Sequence, residues 1–559
     1  MNLECSSASQ GGRVTTARSQ ALLAAALAAL SPGLAHGAAA AAAPPNPSAI
    51  GGGLIQKGQD FEKAAPSPTQ PPVVSGPAPR NATPPSTGPG FHLAEVRFPP
   101  SRFLKAAELN ALAAPLIGKT VAFADLQRLV DRINALYAKR GVLTGRAFIG
   151  PQRVVGGVVR IDLEEATLGV MTVKRGAYTR AAYAAHRVKL KHGDVIDMGP
   201  LSRQINRFNR TNDSQVQAAL SPGKDPGQTD ILLSLKDPPR NGLQLFVDNN
   251  GYATTGRIEG GAYLRGARLL MDGDRGSIYV NGSRGSVTGT ASYNLPVGLA
   301  GGRLGVTYAH SDVKVIAGSS ASLDVRDGSD TLSVNYARPM IVGNDLTLSA
   351  VGAVAGALSS DSVSGRTIGS TRTIKSTLGL QATQTLWRWG RLSGDLSGSY
   401  AAVGYLTGTG PSQFWEGSAD FTLDTAAWRG LRLHVTGDAQ YIDRKGVPGS
   451  QLFQLGGTST LRGYDVGTLS GHSGYFVQAE LHGQPPGFLG KYLDPYVFVD
   501  TGEVSVDAAH HVQITGAGGG VNLVTTHYVT IQADYAVALD RLTAGQYASR
   551  ADLKAVLSF

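Results

Sequence analysis

Two residues near the C-terminal end are expensive where they stand. Arg462 lies in Leu461-Arg462-Gly463-Tyr464, and Asp500 sits within the alternating run Pro495-Tyr496-Val497-Phe498-Val499-Asp500-Thr501-Gly502. A glycine-flanked cation at a loop tip and an anion in mid-strand are accounted for if they pair with each other. The chemistry they offer is a latch. Successive strand side chains point to opposite faces, so Val497 and Val499 share one face, and Tyr496, Phe498 and Asp500 share the other. If the valines meet lipid on the outside of a barrel, Asp500 looks into the lumen, where a charge is tolerated. Gly463 allows a tight loop conformation that a Cβ would resist, so a loop folded back into the lumen brings Arg462 to Asp500.

Other candidate chemistries fail on their surroundings. Gly118-Lys119-Thr120 ends like a phosphate-binding loop, but Ala113 stands where the first glycine belongs, and a helix containing Pro115 precedes it instead of a strand. Gly457-Thr458-Ser459-Thr460-Leu461 lacks the last glycine of a nucleophile elbow. His510 and His511 lie in a polar connection with only Asp507 close by in sequence. The only cysteine, Cys5, precedes the expected cleavage site, which removes thiol and Cys-zinc chemistry from the mature chain. No catalytic residue, metal or cofactor is expected. The charge of +10 is spread along the chain without a dense basic run, so it is assigned to strand ends, loops and lumen and not to nucleic acid.

The elements that must position the latch follow from patterning. Gly makes up 72 of 559 residues, which suits many tight turns. From Asn241 to Phe559 short alternating strands are separated by Gly, Asn, Asp and Ser. Leu243, Leu245 and Val247 share a face, as do Leu332, Val334 and Tyr336, while Thr530, Gln532 and Asp534 oppose Val529, Ile531, Ala533 and Tyr535. One apolar and one polar face marks a membrane barrel with a wet lumen, although a soluble sandwich also alternates. No run of about 18 apolar residues follows the N-terminus, so a membrane chain of this kind must close its sheet. At about 20 residues per strand and connection, with spans of about 9 to 11 residues, this stretch holds roughly 16 strands.

Upstream, residues 1–37 read as a signal peptide, with Arg13 and Arg18 ahead of the apolar stretch Ala21 to Leu30. Residues 38–64 hold a marginal helix weakened by Gly51, Gly52 and Gly53. Residues 65–90 form a Pro-rich linker. Residues 91–165 read as one α/β module in the order β-α-α-β-β, with helices over Leu104 to Leu116 and Phe123 to Tyr137. Residues 166–238 repeat the plan more loosely, with a helix around Leu201 to Asn209.

The pair of motifs Leu461-Arg462-Gly463-Tyr464 and Phe498-Val499-Asp500-Thr501-Gly502, about one hairpin apart, resembles the outer-membrane translocators of two-partner secretion. This is the haemolysin-activator type within the POTRA-plus-barrel superfamily. The runs Tyr137-Ala138-Lys139-Arg140-Gly141 and Ala147-Phe148-Ile149-Gly150-Pro151-Gln152 resemble the first POTRA of the same family. The resemblance implies α+β periplasmic POTRA domains followed by a 16-stranded antiparallel transmembrane β-barrel over 239–559, with residues 38–64 supplying a plug helix. It implies that Arg462 pairs with Asp500 in a loop lock, within motifs that also hold Leu461, Gly463, Tyr464, Phe498 and Gly502. Leu553, Leu557 and the terminal Phe559 would form the insertion signal read by the barrel-assembly machinery. The implied partners are a large secreted exoprotein, outer-membrane lipid and lipopolysaccharide, and no nucleic acid. The implied function is export of that unfolded partner without ATP. A barrel-assembly factor of the same superfamily and a diffusion porin are the alternatives.

Overall fold

Alternation decides the architecture of residues 241–559, where apolar side chains point out and polar ones in. The computed structural model describes residues 47–63, 74–75 and 90–559 except 141, 143, 226, 387–388, 507–509, 526–527 and 543–545. The expected signal segment and most of the expected linker lie outside the described residues.

Sixteen antiparallel strands close into a barrel. In chain order they are β1 (Asn241–Asp248), β2 (Glu259–Ala267), β3 (Arg275–Gly282), β4 (Ser286–Val297), β5 (Gly302–Lys314), β6 (Val325–Val342), β7 (Leu346–Val363) and β8 (Arg366–Thr385). They continue as β9 (Gly390–Thr407), β10 (Gln413–Thr425), β11 (Leu431–Ile442), β12 (Ser473–Gly483), β13 (Leu493–Ser505), β14 (His511–Val524), β15 (Val529–Ala538) and β16 (Ser549–Ser558). The seam joins β1 to β16, from Gln244 opposite Ser558 to Asp248 opposite Lys554. Closure removes the unpaired edge that lipid could not satisfy.

The burial pattern separates a membrane barrel from a soluble sandwich. Leu332, Val334, Leu378, Leu396, Val497 and Tyr535 are exposed on the outside, while Asp248, Glu259, Asp327, Glu416, Asp500, Asp534 and Asp552 are buried within. A water-soluble fold would invert that distribution. Among the described residues no helix is long and apolar enough to cross a membrane.

The first α+β unit spans Phe91 to Glu165 around a core containing Leu93, Leu126, Ile133, Tyr137 and Ile161. Helix α2 is Ala106–Ala113 and helix α3 is Phe123–Lys139, with α1 (Pro47–Lys63) upstream. Sequence spacing predicts a helix as far as Leu116, but α2 stops at Ala113 and tightens into a 3-10 turn, Ala114–Leu116. Pro115 explains this, because its ring would clash with the carbonyl four residues back. In α3 the apolar spacing buries Leu126, Leu129, Val130, Ile133 and Tyr137 on one face. The first strand of the module divides into Phe91–His92 and Glu95–Arg97. Thr120 does structural work here: Thr120–Val121 pairs with Phe91–His92.

The second unit packs α4 (Ala181–Ala185) and α5 (Met198–Thr211) on strands Thr167–Lys174, Gln215–Pro222 and Gln228–Lys236. Val74–Ser75 adds a parallel strand to the open edge of that sheet, with Val74 opposite Ala218. Helix α4 was not visible in the sequence pattern, since its five residues, Ala-Ala-Tyr-Ala-Ala, span little more than one turn. This unit is bolted to the barrel turns on its side. Arg180 Nε donates to Asp272 at 2.6 Å, Arg210 Nη2 to the Asn344 carbonyl at 2.8 Å, and Arg275 pairs with Asp213 at 3.4 Å.

Ile133 is fully buried in the first unit, so Ile133→Ala should cost that unit about 2–5 kcal/mol. Urea-dependent proteolysis of residues 91–165 checks this. The barrel's heat-modifiable gel mobility should not change.

Candidate functional site

The loop between β11 and β12, residues 443–472, turns back into the lumen, where a hairpin of Phe453–Leu455 and Leu469–Gly471 stiffens its stem. Leu455, Leu461, Tyr464 and Leu469 pack against Val504 and Ile514 of the wall. The tip then has little choice of position. Gly463 has φ 92°, and a Cβ there would meet the backbone of Val537 and Ala538 at 3.0 Å. Tyr464 Oη donates to the Thr515 carbonyl at 2.8 Å and accepts from the Asp540 amide at 3.1 Å.

That fixed tip delivers Arg462 to Asp500. Nε donates to Oδ2 and Nη2 to Oδ1, both at 2.7 Å, while the Arg462 amide also donates to Oδ2 at 3.1 Å. The fork-to-fork geometry is the strong form of this contact. The guanidinium carbon lies 3.5 Å from the centre of the Phe498 ring, an arrangement that favours a cation. Arg462 is 2 % exposed and Asp500 is fully buried. Gly502 lies beneath Leu461, and a Cβ there would approach Leu461 Cδ1 at 2.9 Å. Leu461, Arg462, Gly463, Tyr464, Phe498, Asp500 and Gly502 thus come together at one place.

Three partners were missed by sequence reasoning. Arg462 Nη1 donates to Glu480 Oε1 at 2.5 Å, and Glu480 in turn contacts His482 Nε2 at 2.9 Å. His482 Nδ1 lies 3.0 Å from Asp494 Oδ1, and its ring stacks on Tyr496 at 4.8 Å. Strand parity could have found all three. Glu480 and His482 alternate with Leu481, and register places them opposite Phe498 and Tyr496 on the lumen face. Asp494, just before Pro495 in β13, shares the parity of Tyr496, Phe498 and Asp500.

Helix α1 occupies the lumen beside this loop. Ile50 and Leu54 pack on Tyr252, Val313 and Val466. Gln454 Nε2 donates to the Ala49 carbonyl and its Oε1 accepts from Tyr252 Oη at 2.7 Å, so helix, latch loop and the β1–β2 connection meet at one amide. Lys57 pairs with Glu259, which also accepts from Asn281. The glycine trio that weakens the free helix is what fits it here. A Cβ on Gly51 would strike Asp327 Oδ2, one on Gly52 the Ser450 backbone at 2.7 Å, and one on Gly53 the Tyr252 hydroxyl.

Leu553, Leu557 and Phe559 lie apart from the latch, on the outer face and more than two-fifths exposed. The Phe559 amide donates to the Leu243 carbonyl at 2.8 Å, which places the terminus on the barrel seam. His511 reaches Glu503 at 3.2 Å in an exposed pair. Among the described residues no group of three His, Cys, Asp or Glu is arranged to hold a metal.

Residues 91–166 match the family model of the ShlB-type POTRA domain, and residues 227–523 match that of the haemolysin secretion/activation protein ShlB/FhaC/HecB. The outer membrane transporter CdiB of Dickeya dadantii is 26% identical over 418 residues, covering 71% of this chain and 73% of that protein. The heme/hemopexin transporter protein HuxB of Haemophilus influenzae is 23% identical over 462 residues, covering 78% and 80%. The solved structure of CdiB from Escherichia coli has the same fold, with a TM-score of 0.66 at 19% identity over 92% of this chain and all of that one.

Gly463→Ala would combine an unfavourable φ, worth about 1–3 kcal/mol, with the backbone contact described above. The tip should lift, and trypsin should then cut after Arg462 in a barrel that still shows heat-modifiable mobility. The unaltered chain should resist cleavage at that bond.

Proposed function

This chain belongs to the haemolysin secretion/activation protein family of ShlB, FhaC and HecB, and from that premise we propose how its latch and its lumen helix gate export. It is an outer-membrane transporter of a partner exoprotein rather than an enzyme. In this reading the partner is a large exoprotein that arrives unfolded. The α+β units of residues 91–238 receive it, and the sheets offer the physical means, since an extended chain can add to a sheet edge as a further strand. Transport needs no nucleotide, because folding of the cargo outside the cell supplies the drive.

The single observation that carries the gating proposal is that α1 and the loop of residues 443–472 fill the same lumen and share contacts. A diffusion porin has no use for a pore closed twice over. Helix α1 acts as the plug, and Arg462 with Asp500 sets the depth of the loop beside it. The strength of that lock follows from burial. A wet ion pair contributes about 0–1 kcal/mol, whereas removing one partner of a dry pair costs about 3–5 kcal/mol. At 2 % exposure for Arg462 the second regime applies. Leu553, Leu557 and Phe559 serve as the signal that the barrel-assembly machinery reads during insertion, after which the outer apolar belt meets lipid and lipopolysaccharide.

Arg462→Ala and Asp500→Ala should each leave a folded, inserted barrel with reduced appearance of the partner exoprotein in the medium. Heat-modifiable mobility and immunoblots of the medium check the two halves of that statement. Normal export by both variants would remove the lock from the mechanism. Deleting residues 47–63 should raise ion conductance in planar bilayers.

A further inference from the structure

Asp327 of β6 and Asp361 of β7 stand directly opposite each other across the pairing of these strands. Both face the lumen, where their carboxyl groups come within hydrogen-bonding reach. Like charges directly opposite in a sheet are destabilising, so this pair needs an explanation. On β6 and β7 the outward positions flanking the pair are the polar residues Arg326, Ser360 and Ser362, while Leu358 and Ile368 are exposed nearby on the same wall.

What covers the pair is the first turn of α1. Gly51 rests on Asp327 Oδ2, and Ser48 hydrogen-bonds to Asp361. The residue directly opposite Asp327 on β5 is the buried Val313, and the remaining neighbours are hydroxyls or glycines. Ser359 Oγ donates to Asp327 Oδ1 at 3.4 Å, Ser311 borders Gly51, and Gly369 of β8 lies beside Asp361. The charged group nearby on β5 is Asp312, another acid. Among the described residues no cationic side chain pairs with either carboxylate, and Asp327 Oδ2 and Asp361 Oδ1 are buried without a hydrogen-bond donor. Asp327 is 1 % exposed.

The counter-charge present is the positive end of α1, whose first amides have no partner within the helix. It amounts to about half an elementary charge. That can offset one carboxylate in part, and not two. Two carboxyl groups side by side, with Asp327 buried and Asp361 half-buried, disfavour double ionisation and favour sharing one proton. A cavity of about 190 Å³ lined by Ser48, Asp361, Thr371, Tyr405 and Gly449 adjoins the pair and gives that proton a route to solvent.

We propose that Asp327 and Asp361 form a proton-controlled seat for the first turn of α1, closed over the pair when it holds one proton and weakened when both carboxylates ionise. The proposal rests on α1 being the removable plug. Docking keeps water from the pair and retains the proton; withdrawal wets the pair and releases the proton to solvent. Raising the pH therefore favours withdrawal, by at most tenfold per pH unit for one coupled proton. The two aspartates are positioning residues, because they act through α1 and touch no cargo.

The experiment is single-channel conductance of the full chain in planar bilayers across the range from about pH 5 to about pH 9, which brackets the titration of a contacting acid pair. The unaltered protein should open rarely at the acid end and at least tenfold more often at the alkaline end. Asp361→Asn and Asp327→Asn each remove the second charge while keeping a hydrogen-bonding group, and should flatten that profile with the plug still seated. If one variant fails to fold, as judged by heat-modifiable mobility, the other gives the same reading. A flat profile in the unaltered protein overturns the proposal, and so does an unchanged profile in the variants. Deleting residues 47–63 separates the two levels of inference. If the deletion leaves the channel shut, the plug reading itself fails. If it opens the channel at every pH while both variants still respond to pH, the seat alone fails.

Discussion

A guanidinium withdrawn from water sets the terms for everything near the middle of the lumen. Arg462 is stable there only because Asp500 takes two of its donors and Glu480 a third, with Phe498 beneath the charge. Such a set tolerates little displacement, since a buried ion left alone is far costlier than a pair is favourable. The loop that carries it must therefore reach one depth. The stem hairpin, the glycine at the tip and the tie from Tyr464 to Thr515 and Asp540 all serve that requirement.

The barrel wall divides its tasks. Strands β12 to β15 hold the latch, through Glu480, Asp500, Thr515 and the backbone of Val537. Helix α1 leans on the opposite arc, β3 to β7, and the second α+β unit is fixed to that same part of the wall through Asp272, Arg275 and Asn344. The unit and the helix therefore share one part of the wall. Gln454 of the latch loop joins that region, its amide bonding to both Ala49 and Tyr252.

Much of the fold could be read from period two alone, because a barrel strand has lipid on one side and polar lumen on the other, and the alternation survives along most strands. Parity also assigned Asp500 to the inside. What escaped was set by tertiary contact. Gly51, Gly52 and Gly53 read as a weakness of the helix, and only the positions of Asp327, Ser450 and Tyr252 reveal them as clearance. The run Gly518-Gly519-Gly520 in β14 carried no meaning until Phe498 and Tyr496 were seen to lie against it. Helix α2 ends before the last apolar position of its spacing because periodicity is blind to the ring of Pro115. The opposition of Asp327 and Asp361 depends on register, which no single strand announces.

The short strand Val74–Ser75 has a mechanical corollary. Ten residues, 64–73, separate it from the end of α1, and a chain of that length spans at most about 35 Å when drawn straight. While Val74 stays paired with Ala218, a plug helix of the kind proposed above would be on a leash, held near the pore once it had left. Its effective concentration at the mouth then lies in the millimolar range typical of short tethers. On that reading, return would be a local, intramolecular event, with the stopper kept at hand after each passage of cargo.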